Sequence, residues 1–269
     1  MEILIVHLTD IHIQNESDLD IFSDRTEIIG GTICNHITTP DDTCVVFCVT
    51  GDFAYSGKGE QFTVAAIILD EIFSVVKRRC PEIVTHTIFV PGNHDCDFEN
   101  PNSGVRNVVL KSQYLDISDI NQMKQCTSIQ ENFFSFAREM DAVTCEADRV
   151  LTVNNINLEN SEITLSFHCI NTSWCSEKNE HKGKMKFKYD NLPEKREKDI
   201  IFTLMHHDAE WLDWEDKEQW NEYHKRYSDI ILVGHDHEKE FVKKKNYDDT
   251  TCYHIKGNQL YDMMLYNKN

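Results

Sequence analysis

The 269-residue sequence contains no C-x-x-C pair among its ten cysteines and no zinc-ribbon spacing, which excludes a dithiol redox motif and a structural zinc ribbon. The thiols sit singly, some inside apolar runs such as Cys44-Val-Val-Phe-Cys48, and this reads as reduced cysteine in a cytoplasmic protein. No apolar stretch approaches the ~18 residues of a membrane span. The run Ile3–Leu8 is too short for a secretory leader, so no membrane or secreted location is expected. Basic residues are scarce, 27 against 46 acidic ones, for a net charge of −19. Such a chain repels nucleic acid at long range, which disfavours a DNA-coating role, although bound cations reverse the field locally. Internal repeats and low-complexity linkers are also missing, so residues 1–269 are expected to form one domain. A chain of this length buries roughly three quarters of its unfolded surface and needs no disulfide or structural metal to fold.

What is present is a series of short β-branched runs, each ending in polar residues. Ile3–Leu8, Cys44–Thr50, Val84–Val90, Ile163–Ile170, Ile200–Met205 and Asp229–Val233 read as buried strands. Between them, Gln61–Arg79 carries Phe62, Ala66, Leu69, Phe73 and Val76 at spacings of four and three, one stripe of a helix that Cys80-Pro81 stops. Ile129–Met140 and Lys217–Tyr227 are expected to be further helices. Strand, helix, strand order over the first ninety residues argues for α/β layering with parallel strands.

The polar residues that close these strands carry the chemistry. The first ends in Thr9-Asp10-Ile11-His12, the next in Thr50-Gly51-Asp52, and the third in Pro91-Gly92-Asn93-His94-Asp95. Two later ones end in Met205-His206-His207 and Val233-Gly234-His235-Asp236-His237. Each strand thus delivers Asp, Asn or His past its carboxyl end, where open α/β sheets place their sites. Imidazole with carboxylate suits two divalent cations of the Mn²⁺, Fe, Zn²⁺ or Ni²⁺ kind. A shared carboxylate can hold such ions ~3.5–4 Å apart, the spacing that clamps both oxygens of an in-line displacement. The glycines before Asp52, Asn93 and His235 are expected to let the backbone turn sharply. Any one histidine here would be structural more often than not; five motifs in this order would not.

The series Asp-x-His, Gly-Asp, Gly-Asn-His-Asp, His-His and Gly-His-x-His resembles the calcineurin-like metallophosphoesterase superfamily over Leu8 to His237. The phrases His7-Leu8-Thr9-Asp10-Ile11-His12, Gly51-Asp52-Phe53-Ala54-Tyr55-Ser56-Gly57-Lys58 and Asn171-Thr172-Ser173-Trp174 are similar to a bacterial branch whose domains often sit beside others. So is Leu204-Met205-His206-His207 with Glu210-Trp211-Leu212. The resemblance implies a four-layer αββα sandwich, two mixed sheets face to face and flanked by helices. It also implies a phosphodiesterase or phosphatase that uses a metal-bridging hydroxide. Asp10, His12 and His237 would hold one metal, Asp52 would bridge, and Asn93, His206 and His235 would complete the other, with manganese the first choice of ion. His94 would protonate the leaving oxygen, and Asp95 would orient His94 through its ring N–H. The family usually follows His-His with proline, but here Asp208 follows, leaving open which histidine binds. His206 lies nearer the strand end; His207 is either a substrate-side residue or a structural one.

Three further features bear on function. Lys182, Lys184, Lys186 and Lys188 alternate with Met185 and Phe187, placing the lysines on one face of a strand, either as a solvated edge or toward an anionic substrate. Asp208–Glu222 mixes acids with Trp211, Trp214 and Trp220 and follows the His-His loop, so it is a candidate wall of the site mouth. Cys96 is read as packing rather than redox chemistry, and His7, His36, His86, His168, His181, His224 and His254 as structural or exposed. The expected substrate is a small nucleotide-like phosphoester. A nuclease, which would benefit from a basic groove or an aromatic stacking platform, is the alternative. The overall charge is acidic, however, and the best aromatic cluster, Trp211, Trp214 and Trp220, lies among carboxylates. A non-catalytic scaffold would have lost ligands that are all present.

Overall fold

In the computed structural model, residues 2–158, 162–187, 189, 192, 194–245, 251–257 and 264–268 are described, the last five by backbone alone. The first apolar runs form strands buried on both faces, as in parallel sheets covered on each side. β1 (Glu2–Leu8), β2 (Thr43–Thr50) and β3 (Val84–Val90) pair in parallel, and β10 (Met264–Lys268) pairs antiparallel along the free edge of β1. The links are the expected crossover helix α2 (Gly59–Arg79) and, before it, α1 (Asp18–Asn35). In α2, Phe62, Ala66, Leu69 and Val76 are buried as the periodicity predicts. It ends at Cys80, whose N–H donates to Val76 O (2.8 Å).

The second sheet runs β4 (Leu151–Asn157), β5 (Thr164–Ile170), β6 (Asp199–Leu204), β7 (Ile230–Val233), β9 (Thr251–Lys256) and β8 (Glu240–Lys245) in that spatial order. Its inner four strands are parallel and its edge strands antiparallel. Both sheets contribute to one core, in which Leu4, Val46 and Phe47 meet Phe167, Phe202 and Leu232. Outside the first sheet lie α1, α2 and α5 (Glu131–Glu139), whose Phe136 ring stacks on Phe89 (centroids 5.7 Å, 11°). Outside the second lies α6 (Trp214–Arg226), joined by α4 (Ile120–Cys126) in a second cluster around Trp174, Phe187 and Tyr223. Helix α3 (Ser103–Leu110) buries Arg106, whose guanidinium donates to the carbonyls of Cys126, Trp174 and Ser176. The result is helices, sheet, sheet, helices, the layering that the resemblance implies.

Residues 182–188 depart from expectation. Only Met185 makes a strand-like bridge, to Leu212, and Lys188 lies outside the described residues. The alternation survives without a strand: Met185 and Phe187 are buried, while Lys182 pairs with Glu210 (2.9 Å) and Lys186 with Asp213 (2.9 Å). The lysines neutralise the acidic stretch that follows the His-His loop. That stretch does not gather its tryptophans either. Trp220 is buried in α6, Trp214 is largely exposed, and only Trp211 reaches the site.

Candidate metal centre

All five motif-bearing strands end at the same edge of the sandwich, and the residues just past them adopt unusual backbone. Asp10 (φ 55°), His12 (54°), Asp52 (58°), His235 (72°) and His237 (54°) are all left-handed. For residues other than glycine this costs about 1–3 kcal/mol each and persists only where neighbours over-determine it. Here the loops hold one another: Asp10 N–H donates to Gly51 O (3.1 Å), His12 N–H to Asp52 O (2.9 Å) and Gly234 N–H to His206 O (3.1 Å). Gly51 is itself left-handed (φ 91°), as the sharp-turn reading expects. Gly92 and Gly234 are not; they are glycine for space. A Cβ on Gly92 would run into Asp52 Oδ1, and one on Gly234 into Thr9 Oγ1.

The seven side chains read as ligands converge in two groups that share Asp52. In one, His237 Nε2 lies 3.1 Å from Asp10 Oδ1 and 3.1 Å from His12 Nε2, which is 3.7 Å from both Asp10 Oδ1 and Asp52 Oδ2. In the other, Asn93 Oδ1 lies 2.9 Å from His206 Nε2 and 3.0 Å from His235 Nδ1, with Asp52 Oδ2 3.3 Å from His206 Nε2.

This is a gathering of acceptors that faces inward and needs positive charge. The Nδ1–H of His206 donates to Thr50 O (2.7 Å), which aims Nε2 at Asn93 and Asp52. Burial opposes charge on that ring, yet the Asp52 carboxylate outweighs it and raises the His206 pKa to about 10. Burial, with the His207 and His206 rings beside it, pushes His235 far down and leaves it a neutral donor. Two divalent cations fit such a set of imidazole, carboxylate and amide donors. Groups able to hold an ion include Asp10/His12/His237, Asp10/Asp52/His206 and His206/His207/His235, and a fourth places His94 with His12 and Asp52. Chelation is therefore expected to lower the melting temperature by roughly 10 °C, the scale of a ligand held at a thousand times its Kd by a protein of this size. A calorimetric transition unmoved by chelator would refute tight metal binding.

The sequence profile of the calcineurin-like phosphoesterases matches residues 3–239. The chain belongs to that family. Among solved structures it is similar to the sulfate thiohydrolase SoxB of Thermus thermophilus, determined with glycerol (11% identity, TM-score 0.45, covering 98% of this chain and 53% of that one). It is also similar to a dimetal phosphatase of Danio rerio (13% identity, TM-score 0.41, covering 96% of this chain and 88% of that one). The chain thus spans about half the length of SoxB. No curated protein matches it.

Two residues of this calcineurin-like phosphoesterase, His94 and Asp95, stand differently from expectation, and His207 takes the structural one of its two readings. The His94 ring is oriented by Tyr55, whose carbonyl accepts from Nδ1–H (2.7 Å), and not by Asp95. The Asp95 carboxylate is buried and accepts the backbone N–H groups of Asp52, Ala54 and Gly92 (2.8, 2.9 and 2.8 Å), tying the second and third ligand loops together. Burial and the Asp52 charge push its pKa up to about 7, against the pull of those N–H groups. His207 does not reach substrate space: it is fully buried, with Nδ1 on Thr172 Oγ1 (3.0 Å) and Nε2 on Glu180 Oε2 (3.1 Å). Asp208, standing where the family usually has proline, anchors its loop to Lys256 Nζ (2.7 Å) and faces His254 Nε2 (3.4 Å). Lys256 also reaches Asp236 (3.3 Å), so one ammonium clamps the two histidine-bearing loops of the second sheet. Cys96 is buried and donates to Gly92 O (3.8 Å), a packing role as expected.

Sequence reasoning missed Glu180. Its carboxylate holds His207 and approaches His235 Nε2 (4.0 Å), the ring nitrogen pointing away from Asn93. Carboxylates so placed fix the tautomer of a metal-binding imidazole. Glu180→Gln is expected to weaken one of two metal sites by roughly 10–100-fold, read by competition with a fluorescent chelator. Equal affinities at both sites in wild type and variant would sink this role.

Proposed function

We propose that the chain is a binuclear-metal-dependent phosphoester hydrolase acting on a small, nucleotide-like phosphoester. The observation that carries this reading is the convergence of seven ligand-type side chains from five strand ends about one shared carboxylate, Asp52. Asp10, His12 and His237 would hold one cation, Asn93, His206 and His235 the other, and Asp52 both. The pair would supply Lewis acidity toward the phosphoryl group and make water nucleophilic near neutral pH. Manganese is the first choice, with Fe, Zn²⁺ or Ni²⁺ suited to the same donors.

The chain's own part is placement and proton delivery. His94 N–H donates to Asp52 Oδ1 (2.9 Å), and its ring is pinned at Nδ1 by Tyr55 O, which leaves Nε2 free for the substrate. In hydrolysis a water oxygen bonds to phosphorus, the ester P–O bond breaks, and His94 Nε2 gives its proton to the departing oxygen. Trp211 walls the far side, with its ring edge-on to His235 (centroids 4.2 Å) and its N–H on Asp236 Oδ1 (3.0 Å). Water kept off that side strengthens every charge interaction inside. Among the described residues no helix is long and apolar enough to cross a membrane. All ten cysteines are free and nine are buried, which supports a reducing, cytoplasmic setting.

The test is a panel of aryl monoester, aryl diester, cyclic nucleotide, dinucleotide and single-stranded DNA, each with Mn²⁺, Fe²⁺, Zn²⁺ or Ni²⁺. Turnover of a small ester by protein carrying two ions is the expected result. A two-metal sample inert toward every member overturns the proposal, and turnover of DNA alone replaces it with a nuclease.

A further inference from the structure

Beside His94 the centre opens into a hollow of about 280 Å³. Its walls come from the segments that follow Asp52 and Asn93, with Glu177 and Lys178 closing another side. Tyr55, half exposed, presents its ring there, 5.4 Å from the His94 ring centroid, and Phe98 adds an apolar surface. The charges are unbalanced toward acid: Asp97, Glu99 and Glu177 line the hollow with Lys58 and Lys178. Lys58 is already engaged, 2.7 Å from Asp97 and 2.9 Å from Glu99.

We propose that this hollow seats the leaving group of the substrate, and that it selects a neutral, ring-bearing one, a nucleoside, over one that carries a further phosphate. The inference rests on the hydrolase reading above. Under it His94 gives its proton to the departing oxygen, so whatever occupies the space beside His94 is the group that leaves. The volume lies just below the range of sites that enclose whole drug-sized ligands, which suits one base and sugar and is too small for a strand. A base stacked on Tyr55 gains affinity whatever its edge pattern. A second phosphate would meet three carboxylates against two lining lysines. Lys58 is engaged by Asp97 and Glu99, Lys111 from outside the hollow pairs with Glu177 (3.7 Å), and the like charges at short range disfavour a further anion. The discrimination is thus against the substrate's charge, not its size alone.

The experiment uses the manganese-loaded full chain and three esters: a nucleoside 5′-monophosphate, the same nucleotide bearing an additional 3′-phosphate, and glycerol phosphate. The wild type is expected to prefer the first over the second in kcat/KM by at least about fivefold. Tyr55→Ala should raise KM for the nucleotide about tenfold more than KM for glycerol phosphate, with Tyr55→Phe restoring the difference. Glu99→Gln with Glu177→Gln should narrow the gap between the two nucleotides. Free nucleoside, titrated calorimetrically, should bind the wild type and not Tyr55→Ala. Equal kcat/KM for the two nucleotides, or a Tyr55→Ala effect equal on all esters, overturns the pocket and leaves the hydrolase standing. Protein that turns over a diester of the panel above but none of these three monoesters overturns the pocket and leaves the hydrolase standing. Protein inert toward the three esters and the whole panel overturns the hydrolase and the leaving-group role with it, and the nucleoside titration then decides only whether the hollow binds a nucleoside.

Discussion

Replacing Asp52 by asparagine is expected to lower kcat/KM by roughly 10⁴-fold, the scale of the several kcal/mol that a cation contributes to a phosphoryl transition state. The substitution keeps shape and removes charge, which makes it decisive. Asp52 is buried to 1% exposure, and its two oxygens face different tasks. Oδ1 accepts His94 N–H, while Oδ2 points between His206 and His12. Burial alone would raise the Asp52 carboxyl, yet the His206 ring facing it, with His12 behind, holds it well below the usual carboxylate range. An amide in its place offers one neutral oxygen and an NH₂ that cannot ligate. Metal content measured by plasma mass spectrometry should therefore fall from two ions toward one or none, with the far-ultraviolet dichroism intact. A variant that keeps both ions and a tenth of its activity would show that Asp52 is not the shared ligand.

The second large effect is expected at His94. His94→Ala should reduce kcat by about 10²–10⁴-fold on nucleotide or alkyl esters, the usual contribution of a positioned general acid. On a nitrophenyl ester the loss should be much smaller, because that leaving group departs without a proton. Two metals should remain bound in the variant. That last readout is needed because His94 also stands close enough to His12 and Asp52 to share an ion with them. Loss of a metal on truncation, with equal damage for good and poor leaving groups, would recast His94 as a ligand.

The sequence made the centre legible because a parallel strand buried on both faces is a continuous apolar run, and its polar successor is conspicuous. Cys44–Thr50 followed by Gly51-Asp52 is such a case, and the structure bounds it as Thr43–Thr50. Elements at the margins were less legible. β8 is Glu-Phe-Val-Lys-Lys-Lys, an exposed edge strand with no buried face to impose alternation, and β4, the other edge strand of that sheet, carries Asn154 and Asn155 between its buried Leu151 and Ile156. Glu180 was invisible for another cause. It stands in the polar run Glu177-Lys178-Asn179-Glu180-His181, and its partner His207 is 27 residues away, so only tertiary contact reveals it. The role expected for Asp95 failed because adjacency in sequence is not adjacency in space. The chain turns between His94 and Asp95, sending one toward Tyr55 O and the other beneath the second loop. The absence of proline after His207 reads differently once Lys256 is seen: an ion pair from a distant strand stiffens what a ring would otherwise have stiffened.

Asp10, His12, Asp52 and Asn93 follow strands of one sheet, and His206, His235 and His237 follow strands of the other. Cations held by both sets would rivet the halves of the sandwich across their seam. Whatever loosens the stacked Phe167 and Phe202 rings in the shared core would then also loosen the ions. Metal affinity and cohesion between the sheets become one quantity, measurable from either end.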